Sequence, residues 1–207
     1  FVLTNSRGME EDEARQVNRE VARNLKTALQ QAGDPPYLVV SRSDSTLRGH
    51  FPAETDTLSA ELGPFDATFL VPAFIEAGRV TIDGVHYIRD ENGLTRTDQT
   101  PFARDSVFGY TTSYLPEYVQ EKTDGRVNAD EVSVLPAVSS EKDHPAGGSA
   151  EDLRRRLAAL PDGAYCAVDA SVQADLDAFA EAVRTLTSAG KRYLFRSAAS
   201  LLTSLAD

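Results

Sequence analysis

The stretch YLVVSRSDSTLRGHFPAE, Tyr37 to Glu54, decides the fold class. It opens on four apolar residues, the composition of a short strand buried on both faces of a parallel sheet. It then turns abruptly polar, with Arg42, Arg48, Asp44 and the hydroxyls of Ser41, Ser43, Ser45 and Thr46. From about Pro52 to Leu62 the pattern becomes helical, and Gly63 supplies the stop. Buried strand, polar loop and helix in succession form one repeating unit of an α/β domain.

The same alternation runs outward in both directions. FVLT (1–4) reads as the end of a strand. From Glu10 to Ala32, the residues Ala14, Val17, Val21, Leu25, Ala28, Leu29 and Ala32 fall on one helical face. Glu10, Glu11 and Asp12 sit in its first turn, where the helix dipole favours acids. DATFLVPAF (66–74), EVSVLP (131–136), YCAVDA (165–170) and RYLF (192–195) each hold an apolar strand. Helices are expected near Leu115–Lys122, from Ser149 with Asp152 three residues on as a cap, over Gln173–Ala189 before Gly190, and from about Ala198. RVTIDGVHYI (79–88) places Asp83-Gly84 between β-formers, a two-residue hairpin signal. Residues 89–112 show little periodicity and read as a long loop, and SSEKDHPAGG (139–148) as a flexible connection. The expected fold is therefore a three-layer α/β domain. A mainly parallel sheet has helices on both faces and carries an inserted hairpin and long loop over about 79–131.

Composition narrows the function. The 207 residues suit one large domain, and 41% apolar with 26% charged is an ordinary globular balance. A net charge of −11 argues against a nucleic-acid or anionic-membrane partner. The chain has no apolar run of spanning length and no leader-like start. The single cysteine, Cys166, lies in an apolar strand and reads as a buried thiol, which suits a cytoplasmic protein. The missing initiator Met points to a piece of a longer protein.

Against this acidic background the arginines stand out. Arg7, Arg42, Arg48, Arg79 and Arg196 each follow an apolar strand. In an open parallel sheet those positions share the carboxyl edge, where ligands bind. A lone arginine after a strand is most often solvated or salt-bridged, but five on one rim suit an anion. The guanidinium fork matches a carboxylate or phosphate. Arg48 is the strongest candidate, because Gly49 allows close backbone approach and a helix start follows. Asp44, Ser45 and Thr46 are equally turn-forming and capping residues. With Arg48 they also supply what a polyhydroxylated acid needs, an aspartate for hydroxyls and an arginine for the carboxylate. Arg7, Asp44, Arg48 and Arg79 are expected to line one cleft. His86 and His144 read as structural or solvent-facing, and His50 as a helix-start or a chemical residue. No metal-ligand spacing, GxxxxGK[ST] or GxGxxG occurs.

DSTLRG (Asp44–Gly49) resembles the signature of the four-carbon acid sugar kinases, which phosphorylate erythronate, threonate and 3-oxo-tetronates with ATP. TNSRG (4–8), VPAFIEAGRVTIDGVHYI (71–88), FARDSVFGYTTSYLPE (102–117) and YLFRSAAS (193–200) are similar to further segments of that family, in order, over nearly the whole chain. The resemblance implies an N-terminal sugar-acid-binding domain spanning 1–207 of a two-domain kinase. The C-terminal nucleotide-binding domain would be its partner and would hold ATP and Mg²⁺. It implies substrate contacts from Arg7, Ser41, Arg42, Asp44, Ser45, Arg48, Gly49, Gly78 and Arg79, and it leaves the catalytic base and any homo-oligomer open. Two departures bear on substrate choice. The family's Ala-Asp-Asp-x-Thr-Gly segment is absent, and Ser41-Arg42-Ser43 stands where many members have a lysine. A non-catalytic sugar-acid-binding module is the other reading. An oxidoreductase or an aldolase would need a dinucleotide fingerprint, a metal or a Schiff-base lysine.

Overall fold

The computed structural model describes residues 1–138 and 148–206. Five parallel strands form the main sheet: β1 (Val39–Arg42), β2 (Ala67–Val71), β6 (Val132–Leu135), β7 (Ala164–Val168) and β8 (Tyr193–Ser197). Their order is β1-β8-β2-β7-β6. A separate antiparallel sheet holds β3 (Arg79–Ile82), β4 (Val85–Asp90) and β5 (Gly93–Arg96).

The central strands are mostly apolar and buried, so alternate side chains feed two cores. One face sends Phe69, Cys166 and Phe195 against α4 (Ala150–Ala158), α5 (Gln173–Ser188) and α6 (Ser200–Ala206). Phe69 lies at its centre, with the rings of Phe179, Tyr193 and Phe195 within 5.5 Å. On the other face Val39 and Leu194 meet α2 (Ala53–Leu62), over which α1 (Glu11–Gln31) packs with Ala22. Further along that face, Leu70 and Ala167 meet Leu115, Tyr118 and Val119 of α3 (Leu115–Lys122). The three-layer arrangement is as the sequence predicts.

This layering also opens the crevice. The helix after β1 lies on one face, whereas the helix after its neighbour β8 lies on the other. Loops leaving adjacent strand ends in opposite directions part at the carboxyl edge, the position where open α/β sheets take ligands.

The structure corrects several expectations. FVLT forms no strand; residues 1–5 have no regular structure, and Phe1, Val2 and Leu3 are exposed. No neighbouring strand supplies the pairing that an extended apolar segment needs. The YLVV strand lies two residues further on, as VVSR, because its parallel pairing with β8 continues through Ser41↔Arg196 and Arg42↔Ser197. Tyr37 instead meets Arg192, its hydroxyl accepting a 2.6 Å bond. The long loop at 89–112 contains β5 and single 3-10 turns at Thr97–Gln99 and Pro101–Arg104. The first three residues of β5 are exposed, so the strand has no apolar alternation to betray it. The SSEKDHPAGG connection, with His144, lies outside the described residues but for Gly148.

The inserted sheet is fastened to the main one. Thr81 and Ala170 exchange both backbone bonds, at 2.9 and 3.0 Å, and the Asp169 carboxylate accepts from Gly84 N at 2.9 Å. No helix among the described residues is long and apolar enough to cross a membrane.

Burial holds the Cys166 thiol high, at about 12, so almost no thiolate forms at neutral pH. The folded chain should resist a thiol-reactive disulfide reagent and titrate fully in denaturant. Rapid labelling of the native protein would contradict the packing of β7.

Candidate functional site

The loop from Ser43 to Pro52 sits at the crevice between β1 and β8. Asp44 is its organising side chain. Its carboxylate accepts from Arg48 Nε at 2.8 Å and from the Thr46 hydroxyl, and Arg7 Nη1 approaches to 3.6 Å. Arg48 Nε also reaches Thr46 Oγ1 at 3.0 Å. Its Nη1 is 3.5 Å from Asp105, and its guanidinium lies 4.8 Å from the centre of the Phe102 ring. Arg48 thus bridges the loop to the inserted segment, while no described group hydrogen-bonds to its Nη2.

Arg196 has a different role from a free rim cation. Its side chain is 7% exposed and its Nη1 donates to Glu54 at 2.6 Å and to Ser41 Oγ at 2.8 Å. The other Glu54 oxygen accepts from Ser6 Oγ at 2.5 Å and Asn18 Nδ2 at 3.2 Å. Gly49, at φ 129°, belongs to this packing, since a Cβ there would lie 2.8 Å from Arg196 Nη2. Gly78 is likewise explained locally. At φ 69° its added Cβ would sit 2.3 Å from the Arg89 carbonyl.

The remaining candidates divide. Ser41 lies under Arg196. Ser45 contributes its carbonyl to His86. Arg42 is exposed and donates to the Ser43 carbonyl, with no contact to the others. Arg79 donates through Nη1 to the Ala77 carbonyl, while its Nε is buried without a partner among the described residues. Arg79 makes no hydrogen bond or ion pair with Arg7, Asp44 or Arg48 among the described residues. A narrow pocket, partly open to solvent, is lined by Ser43, Arg48 and Arg196 with Leu47, Phe51 and Tyr118.

The loop backbone is held from one side. The carbonyls of Ser45, Thr46 and Leu47 accept in turn from His86 Nε2 at 2.9 Å, Tyr110 OH at 2.9 Å and Tyr118 OH at 2.8 Å. Burial pushes the Tyr110 hydroxyl up to about 12 and that of Tyr118 still higher, so both stay protonated donors. Among the loop N–H groups, Leu47 N donates to Asp44 O at 3.3 Å and Ser43 N to Ser197 O at 2.7 Å. Those of Asp44, Ser45, Thr46, Arg48, Gly49 and His50 have no acceptor among the described residues. His50 instead uses its ring, bonding to the Met9 carbonyl at 3.0 Å and standing edge-on to Phe108.

The family model of the sugar-binding N-terminal domain matches residues 1–205. The chain belongs to the sugar-binding N-terminal domain family. A protein from Heliobacterium modesticaldum named D-erythronate kinase is 35% identical over 104 residues, 48% of this chain and 22% of its own. A solved structure from Bordetella bronchiseptica is 28% identical with a TM-score of 0.72, covering 99% of this chain and 44% of the other. It is described as a domain of unknown function, a domain-swapped dimer with bound citrate. A Haemophilus influenzae protein shares the fold alone, at 19% identity and a TM-score of 0.67 over 97% of this chain and 43% of its own. This member of the family therefore spans less than half the length of the relatives it matches.

Sequence reading passed over the residues that hold the loop: Glu54, Asp105, Phe102, Tyr110 and Tyr118. Tyr118 and Glu54 lie in helices, where they read as core or surface. The signal for the others was the aromatic and acidic content of 102–110, a segment too long and too rich in such residues for a bare connector.

His86 is fully buried, with Nδ1 3.0 Å from Thr81 Oγ1, and burial depresses its pKa from 6.5 to about 4. Between those values the unfolded chain binds a proton that the folded chain excludes. Stability from this group is therefore complete above pH 6.5 and falls until about pH 4. The shift corresponds to roughly 3 kcal/mol at about 1.36 kcal/mol per unit. Denaturant midpoints between pH 7 and 4.5 should fall more steeply for the parent than for His86→Asn. Equal slopes would remove His86 as the source.

Proposed function

We propose that the chain is the N-terminal, acid-binding half of a two-domain kinase that phosphorylates four-carbon acid sugars with ATP. The observation that carries the reading is Asp44 held by Arg48 and flanked by Arg7, beside loop N–H groups without acceptors, at the carboxyl edge of a parallel sheet. A tetronate has one carboxylate and several hydroxyls. The carboxylate would accept from the guanidinium edge of Arg48, with Arg7 and the loop N–H groups. Asp44 would accept from hydroxyls. Arg79 would add a further cation, and Ser45 a hydroxyl. The family supports a sugar ligand, the Heliobacterium relative's name supports erythronate and phosphoryl transfer, and the citrate bound to the Bordetella protein supports a hydroxy-carboxylate.

ATP and Mg²⁺ belong, on this reading, to a C-terminal domain. Among the described residues no three His, Cys, Asp or Glu side chains converge as metal ligands. The part of the chain's own residues is to bind the acid, orient its hydroxyl and exclude water when the domains close. Self-association is the reading's other partnership, supported by the Bordetella dimer. The proposed setting is the cytoplasm.

In the full-length enzyme, Arg48→Ala should lower kcat/KM for D-erythronate about tenfold or more, with little effect on the KM for ATP. Arg48→Lys should restore part of the loss, because an ammonium keeps the charge but not the fork. Calorimetric titration of this chain should show the same order of affinity. Because Arg48 also pairs with Asp44, melting curves accompany the titration; a stability loss with unchanged erythronate affinity would remove Arg48 from the site. Binding of erythronate without ATP turnover by the full-length protein would favour the non-catalytic module instead.

A further inference from the structure

We propose that Tyr118 and His86 are positioning residues for two backbone donors of the acid-binding loop, the N–H groups of Arg48 and Thr46. The inference rests on the acid-binding reading above and extends it to residues that contact no ligand. It follows from peptide planarity. In a trans peptide the carbonyl of one residue and the N–H of the next share a rigid plane and point in opposite directions. Tyr118 OH holds the Leu47 carbonyl at 2.8 Å, so the Arg48 N–H on that plane is turned away from α3. His86 Nε2 holds the Ser45 carbonyl at 2.9 Å, so the Thr46 N–H is turned away from β4. Neither N–H has an acceptor among the described residues.

The plane between them is already committed. Tyr110 OH takes the Thr46 carbonyl at 2.9 Å, and the N–H on that plane, from Leu47, closes the turn onto Asp44 O at 3.3 Å. Three adjacent peptides are thus held by three aromatic donors from the inserted segment, and the two outer ones leave a donor for an acid. Leu47, at φ 66°, gives the loop the left-handed residue that such concave N–H arrangements contain. The three donors are buried and both tyrosines stay protonated, so the clamp carries no charge that would oppose an anion. Preorganised donors of this kind favour an anion because no reorganisation is needed on binding.

Each clamp acts on one named N–H, and this makes the inference separable from ordinary packing. Amide spectra of the isotopically labelled chain are recorded during titration with D-erythronate, beside calorimetry and melting curves. In the parent, the Thr46 and Arg48 amide protons should both move downfield. Tyr118→Phe keeps the ring and should lose the Arg48 shift while retaining that of Thr46. His86→Leu should do the reverse, and His86→Gln, which can still donate, should restore it. Affinity should fall about five- to tenfold in the two clamp variants, the scale of one hydrogen bond, and less in Tyr110→Phe. Should a variant fail to fold, the parent spectra still decide the geometry. Erythronate binding that leaves both parent amides unmoved overturns the inference, and so do variants that lose both shifts equally or keep both. No binding by the parent overturns the acid-binding reading, and the inference falls with it.

Discussion

The buried ion pair between Arg196 and Glu54 is the constraint on which the site depends. Arg196 leaves the end of β8 and Glu54 stands in the first turn of α2, so the 2.6 Å bond fixes helix against sheet. Burying both charges is costly, and the cost is met only because the spare oxygens and hydrogens are also used. Ser41 takes up one bond from Arg196, and Ser6 and Asn18 satisfy Glu54. The N-terminal turn, α1, β1, β8 and α2 are thereby joined through one polar knot. Removing either ion would leave the other unpaired in the interior, a loss of about 3–5 kcal/mol.

From this knot the loop acquires its shape. Gly49 must be a glycine because Arg196 occupies the space of its side chain, and its positive φ reverses the chain just before α2. The other side of the loop is held by neutral donors from the insertion. One border of the site is therefore ionic and internal to the α/β core, and the other is aromatic and comes from β4, the loop after it and α3. The two borders leave Arg48, Arg7 and Asp44 half-buried to exposed between them, and the inserted segment is part of the site's structure.

Much of this was legible in the sequence. The alternation of apolar strands with helical faces led to the parallel sheet, because strands covered on both faces are mostly apolar and packing helices are amphipathic. Asp83-Gly84 marked the hairpin because few residues tolerate its backbone. Asp44 and Arg48 were placed at the carboxyl edge by the strand before them, whereas Arg7 reaches Asp44 from a 3-10 turn that follows no strand. Polar partnership was harder to read. Arg196 looks like Arg48 in the sequence, yet one is buried on a glutamate and the other bridges the cleft. Glu54 cannot be told from a solvent-facing helix residue until the fold brings Arg196 to it. β5 was hidden because pairing on one edge with both faces exposed requires no apolar pattern. FVLT was misread for the opposite reason, since apolar composition does not make a strand without a neighbour.

The central claim is that a loop fixed by internal bonds presents Arg48, Arg7 and backbone N–H groups to an acid. A crystal structure of the chain with D-erythronate tests it most directly. The account predicts the carboxylate within hydrogen-bond distance of Arg48 and a loop N–H, a ligand hydroxyl on Asp44, and the bonds to the Ser45, Thr46 and Leu47 carbonyls unbroken. An erythronate bound away from this loop, or a loop that releases those three carbonyls to receive it, would contradict the account.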